Sequence, residues 1–463
     1  MAGPTCLWEA PLQSYDVRIW SVRRRNSKSA PFQVRWLVDG KTHQAPFATK
    51  TLADARRAEL LTAARSGEAF DVETGLPVSE LRKLNRTTWY EHARQYVDMK
   101  WPNAAAKHRA SIAESLTLVT LALCPAAKGR PDTAVLRRSL YQWAFNAGRR
   151  DVEPPAAEAA ALAWVAKHSP TVADLDSAHR MRAVLDALAK KQDGTTAAPN
   201  TVKRRRAVLS NCLRIAVEKE LLPSNPLMRV HWKVPKAVEE LDERSVATPA
   251  QARALLKAVR EQGPRGEHLE AFFGCMYYAA LRPEEVSVLS RSQCTLPEEG
   301  WGRLDLAGAR PQVGSGWTDD GKPYEERGLK HRPRKTVRRV PIPPALVALL
   351  RQHIERFGTD DDGRLFRAAR GGPVRSQEYG AIWKEARNAA LTPEQVDSPL
   401  ARIPYDLRHA CVSFWLSSGV SLAETARRAG QSIAVLQRYY AKVLDGQEER
   451  MNELIDRGFA EHG

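Results

Sequence analysis

At 463 residues the chain exceeds one ordinary domain, and a prior of roughly 150 residues per domain suggests about three. Its 71 Lys and Arg against 54 Asp and Glu give a charge of +17 and an isoelectric point near 9.7, which favours a polyanionic partner, nucleic acid first. No apolar run reaches the roughly 18 residues of a membrane span, residues 1–15 lack the order of a signal peptide, and six scattered cysteines and eleven histidines show no CxxC or HExxH spacing. These features exclude membrane-spanning, disulfide-framed and zinc-dependent classes and predict a soluble, cytoplasmic protein with no metal or other cofactor.

In chain order, residues 17–22, 32–38 and 41–47 are short β-rich runs, the last two joined by Asp39-Gly40, a dipeptide that tolerates a tight hairpin. A three-stranded sheet is predicted. Thr51-Leu52-Ala53-Asp54 then opens an Ala- and Leu-rich helix to about Ser66, with the Thr and Asp side chains as caps. Arg23, Arg24 and Arg25 sit on the first loop and are candidate phosphate contacts. From about 85 to 233 the pattern is helical, broken by a Pro-, Gly- and Ala-rich passage over 125–161.

The last strong helix of that stretch follows Pro199-Asn200-Thr201. It carries Lys203, Arg204, Arg205 and Arg206 before an apolar set, so its basic end is a candidate grip on DNA phosphates. Residues 221–235, with three prolines, lead into acidic Glu239, Glu240, Asp242 and Glu243 and read as a linker. Thr248-Pro249-Ala250-Gln251 marks the next helix start: a capping hydroxyl, a proline where no N–H is needed, and a reciprocal amide. The boundaries drawn are 1–70, 85–235, 246–445 and a tail over 446–463.

Three segments of the last unit carry the chemistry. They are Ala280-Leu281-Arg282-Pro283-Glu284-Glu285-Val286; Gly328-Leu329-Lys330-His331-Arg332 through Val340-Pro341; and Tyr405-Asp406-Leu407-Arg408-His409 with Gly430 and Arg438-Tyr439-Tyr440-Ala441-Lys442. In this ordered set the sequence resembles the tyrosine recombinase, or phage integrase, family. Taken alone, an Arg-x-x-Glu is an ordinary surface ion pair and a tyrosine pair an ordinary core feature; the order of the boxes gives them weight. The resemblance spans the whole chain. It implies an α+β protein: a mostly helical catalytic domain with a small β-sheet, behind a helical core-binding domain and a small N-terminal sheet plus helix that binds arm-type DNA sites.

The residue types fit that chemistry independently. A phosphodiester under attack gathers charge on its non-bridging oxygens, and Arg282 and Arg408 each offer a rigid, permanently charged fork of donors to hold them. Glu285, one helical turn beyond Arg282, buttresses it. A tyrosine phenol, with a pKa of about 10 in water, attacks once the phosphate is neutralised. Tyr439 competes for this role on composition, but Ile433, Leu436 and Tyr440 share one helical stripe, and the family's tyrosine-alanine step selects Tyr440.

By resemblance, a hairpin lysine protonates the leaving 5′-oxygen. Lys330 is the match, Lys335 competes with it, and Arg332 beside them is a candidate DNA contact. His409 orders the site through a hydrogen bond. Two positions depart from the family: Tyr405 and Gln431 stand where histidine, or histidine and tryptophan, are usual. Both still donate hydrogen bonds but neither shuttles protons as imidazole does. The tail carries Met451, Leu454, Ile455 and Phe459 at helical spacing and by resemblance packs on a neighbouring protomer, implying a homotetramer on DNA.

The function expected is integration of a phage or mobile element at double-stranded DNA attachment sites, through a 3′-phosphotyrosine intermediate, without ATP or metal. Accessory partners would be a host DNA-bending factor and an excision factor. The alternatives are a type IB-like topoisomerase and a catalytically impaired DNA-binding regulator on the same scaffold.

Overall fold

The computed structural model describes residues 12–84, 86–124, 126–233, 235, 241–325, 337–440, 452–453, 455–457 and 459–460. The chain forms two compact units, Met1–Lys236 and Ala237–Gly463. Both are mainly helical with small antiparallel sheets, the α+β class expected. No described helix is long and apolar enough to cross a membrane.

In the first unit, Phe32–Val38 pairs along one side with Lys41–Phe47, Val38 opposite Lys41. Asp39 and Gly40 both take positive φ, 48° and 77°, the geometry of a two-residue hairpin whose twist suits its strands. The other side of Phe32–Val38 pairs with two pieces, Val17–Ile19 and Arg23–Arg24, so the first predicted strand is interrupted and two of the loop arginines lie within the sheet. The helix Lys50–Arg65 covers this sheet, with Ala53 and Leu60 packed among Val34, Trp36, Val38 and Phe70. Its cap is Thr49, not Thr51 or Asp54: the extended backbone of Thr49 aims its hydroxyl oxygen at the Leu52 N–H, whereas Thr51 already lies inside the first turn.

The helices Trp89–Lys100, Ala106–Leu123, Ala178–Leu188 and Pro199–Glu218 form the rest of this unit's framework. The passage 125–161, expected to interrupt it, contains Thr133–Ser139, capped by Asp132, and the start of Ala156–His168. Alanine is the strongest helix former, and the Ala-rich end of that passage is a helix start. The final helix begins at Pro199 itself, as suits a proline whose missing N–H has no partner to lose. Within the predicted linker, Leu221, Leu222 and Leu227 are buried, so that stretch is packed.

The second unit opens on the predicted capping box, in which Thr248 and Gln251 bond each other's main chain before Pro249–Arg260. Gly263–Ala279 runs through the core, packed against Pro249–Arg260, Pro344–Phe357 and Asp406–Ser417. A three-stranded antiparallel sheet orders Cys294–Thr295, Gly302–Leu306 and Arg338–Ile342. The short helices Leu422–Ala429 and Ile433–Tyr439 follow, and Tyr440 closes the core.

Candidate active site

Two left-handed turns build the site. Gly263–Ala279 ends at Ala280, whose φ of 51° is unusual for a residue with a Cβ and reverses the chain into Arg282. Leu422–Ala429 ends at Gly430, φ 62°, where any Cβ would run into the Arg338 guanidinium. Glycine is required at 430 on both counts.

These turns present carbonyls to the arginines. Arg408, fully buried on Asp406–Ser417, donates Nη1 to the Ala280 carbonyl and Nη2 to the Ala429 carbonyl, the latter at 2.7 Å. Arg282 donates Nη2 to the Gly430 carbonyl at 3.0 Å and Nη1 to Glu285 Oε1 at 3.0 Å. The two guanidiniums are thereby tied to consecutive carbonyls, Ala429 and Gly430. Burial lowers the Arg408 pKa, and the neighbouring charges of Arg282 and Arg338 add to that, while burial of Arg282 is outweighed by Glu285.

Glu285 does more than buttress Arg282. Its two oxygens accept a bidentate pair from Arg338, Nη1 to Oε1 at 3.0 Å and Nη2 to Oε2 at 2.8 Å. Burial alone would raise this carboxyl, but Arg338, then Arg282 and Arg408, bring it down to about 2. Sequence reading missed Arg338, which is 2% exposed. The signal was present: in Arg338–Ile342, positions 338, 340 and 342 are the buried ones, so this arginine takes a core-facing place in the strand's alternation.

Tyr440 lies one residue past Ile433–Tyr439, 1% exposed, with its Oη 2.7 Å from His409 Nδ1. Burial raises its phenol pKa, opposed in part by Arg408. Burial and the adjacent Arg408 push the His409 imidazole down to about 4. The Tyr405 ring lies 5.2 Å from the His409 ring and 5.9 Å from the Arg408 guanidinium carbon. Gln431 follows the Gly430 turn, and its Oε1 is buried without a hydrogen-bond partner. Tyr439 is half-buried against the core and its carbonyl accepts from the Leu241 N–H. Of the proposed stripe, Leu436 and Tyr440 are buried while Ile433 is exposed.

The structure thus brings Arg282, Glu285, Arg408, His409, Tyr405, Gln431 and Tyr440 into one region of the second unit. Lys330, Lys335 and Arg332 lie outside the described residues, as do Met451 and Leu454 of the tail, whose Ile455 and Phe459 are exposed. No group of three or more metal-ligating side chains occurs among the described residues.

In the first unit the basic run divides. Lys203 and Arg204 are exposed and Arg206 partly so. Arg205 is 6% exposed and donates to the Leu188 and Lys190 carbonyls and to Glu114 Oε1, at 3.0, 2.9 and 2.7 Å. It falls on the buried stripe of Val202, Leu209 and Cys212 and ties helices together, so the surface contact expected of it is corrected.

The proteins this chain is similar to are integrases and site-specific recombinases. Over 300 residues it is 25% identical to the Mycobacterium tuberculosis protein named "Putative prophage phiRv2 integrase", spanning 62% of this chain and 69% of that relative. Among solved structures, it matches the Tn1549 transposon integrase bound to transposon right end DNA with a TM-score of 0.48 and 15% identity, over 69% of this chain and 99% of that one. It matches a lambda integrase dimer bound to a core site with a TM-score of 0.44 and 12% identity, over 92% and 95%. No family model matches the chain.

Proposed function

We propose that this chain is a tyrosine-type site-specific recombinase that integrates a phage or mobile element. The observation that carries the reading is the convergence of two carbonyl-anchored arginines, Arg408 fully buried and Arg282 partly so, with a tyrosine whose Oη is already held by a hydrogen bond beside them. Arg282 and Arg408 keep donors available to a phosphodiester because much of their anchoring uses neutral carbonyls. Tyr440 Oη attacks phosphorus and the bond to the 5′-oxygen breaks. That oxygen takes a proton from Lys330, leaving a 3′-phosphotyrosine. A second 5′-hydroxyl reverses the step, so neither ATP nor metal is needed.

In this reading Lys203, Arg204 and Arg206 meet DNA phosphates, and the enzyme acts as a homotetramer on paired attachment sites with accessory bending and excision factors. The divisions at 1–70, 85–235, 246–445 and 446–463 serve arm-site binding, core-site binding, catalysis and protomer exchange. A second reading, a DNA-binding regulator, draws on Tyr405 and Gln431, which supply no imidazole.

The test is trapping on a nicked suicide substrate bearing the element's own attachment site. A covalent protein-DNA band in wild type and Tyr439→Phe, lost in Tyr440→Phe, is the expected result. Tight binding with no adduct in wild type overturns the enzyme reading in favour of the regulator, and adduct formation without a partner protomer favours a topoisomerase.

A further inference from the structure

A phenol that becomes a phosphate ester must give up its proton, and Tyr405 and Gln431 of the same region offer only a phenol and an amide. Neither a phenol nor an amide is a useful base near neutral pH. Among the described residues, the side chain bonded to the attacking oxygen is His409, through Nδ1 at 2.7 Å, well within the reach required for direct proton transfer. We infer that His409 Nδ1 receives the Tyr440 proton as the phosphotyrosine bond forms, acting as a catalytic base and not only as an ordering contact.

Charge and burial support this geometry. The groups facing His409 are Arg408 and Tyr405 on its own segment and Tyr440 at the end of Ile433–Tyr439, with Arg282, Glu285 and Arg338 acting behind Arg408. Burial and Arg408 keep the imidazole neutral, so one ring nitrogen is an open acceptor. With the proton on Nε2, Nδ1 accepts from the phenol. A bound phosphodiester offsets the Arg408 charge and raises the basicity of His409 when substrate arrives.

The step balances. The phenol O–H bond breaks and its proton passes to Nδ1. An Oη electron pair forms the bond to phosphorus, and the bond to the 5′-oxygen breaks with its pair going to that oxygen, which is protonated by Lys330. In resealing, the imidazolium returns its proton to Tyr440 Oη as the phenol leaves. The other described buried histidines of this unit, His268 and His353, bond the main chain at Arg367 and Leu365 and take no part.

The inference rests on Tyr440 being the nucleophile, and the experiment separates the two. Single-turnover cleavage of the suicide substrate is measured with the full chain as wild type and as His409→Asn, each with ordinary or ring-fluorinated, more acidic tyrosine at position 440. His409→Asn keeps an acceptor that cannot hold a proton. It is expected to cleave about 100-fold more slowly at neutral pH, to speed up steadily with rising pH, and to be rescued by fluorination, which leaves wild type little changed. Near-wild-type cleavage by His409→Asn, or no rescue, overturns the inference while the wild-type adduct keeps the nucleophile assignment intact. An adduct that survives Tyr440→Phe overturns both.

If His409→Asn does not fold, wild type is assayed on DNA whose bridging 5′-oxygen is sulfur, a leaving group that needs no proton. Slowing in D2O then reports the phenol proton and supports the inference, and no slowing overturns it.

Discussion

Replacing Arg338 with methionine removes the bidentate partner of a buried carboxylate while keeping much of the side-chain volume. Glu285 is held at about 2 against an ordinary value of 4.5, a depression worth about 3 kcal/mol of folding free energy in which Arg338 has the largest share and Arg282 and Arg408 the remainder. Breaking a buried pair from one side costs about 3–5 kcal/mol by an independent route. For a unit the size of Ala237–Gly463 that corresponds to a fall in melting temperature of roughly 6–20 °C. The sign follows from a depressed carboxyl: its contribution is complete above the ordinary carboxyl range and is lost as pH falls through about 2. Denaturation of the full chain should show a large deficit for Arg338→Met at neutral pH that narrows in acid. Pairing the change with Glu285→Leu should recover most of the stability but not DNA cleavage, because Arg282 loses one of its two tethers and keeps only the Gly430 carbonyl. A deficit below about 1 kcal/mol at neutral pH, or one that does not vary with pH, would refute the reasoning.

Gly430→Ala places a Cβ both in the left-handed region and against Arg338. It should cost at least about 1–2 kcal/mol in denaturation and sharply reduce adduct yield. Lys203→Ala and Arg204→Ala should each lower the slope of log affinity against log salt by roughly one in DNA-binding titrations, with the melting temperature unchanged. Arg205→Ala should do the reverse, leaving the slope alone and destabilising the first unit by about 2–3 kcal/mol through its lost charge-assisted bonds.

The features legible in sequence were those encoded by neighbours. The Asp39-Gly40 turn and the Thr248-Gln251 capping box depend on residues within four positions and appear as read. The site boxes lie far apart in the chain, and their ordered resemblance to one family predicted which residues would meet. What escaped depends on packing. Arg338 looks like a surface cation until the strand is laid against Glu285, and Arg205 hides within a run whose composition suggests one exposed face. Both lie on the buried phase of their element, so periodicity, weighed above charge, would have singled them out. The Thr49 cap escaped because three nearby polar side chains compete for one helix start, and only backbone conformation chooses among them.

Three guanidiniums, Arg282, Arg338 and Arg408, enclose one carboxylate, Glu285, so this buried cluster holds two positive charges more than it balances. The carbonyls that hold Arg408 fix its direction without neutralising it. Arg282 and Arg338 repel the Arg408 charge, and the fold around them carries that tension as a standing cost. A phosphodiester entering the cluster brings one negative charge and halves that excess, and the second charge that gathers on the phosphorus oxygens during attack offsets the rest. Under the proposed function, DNA is in that sense part of the unit's structure as well as its object, and the region around Glu285 should be at its stiffest when DNA is bound.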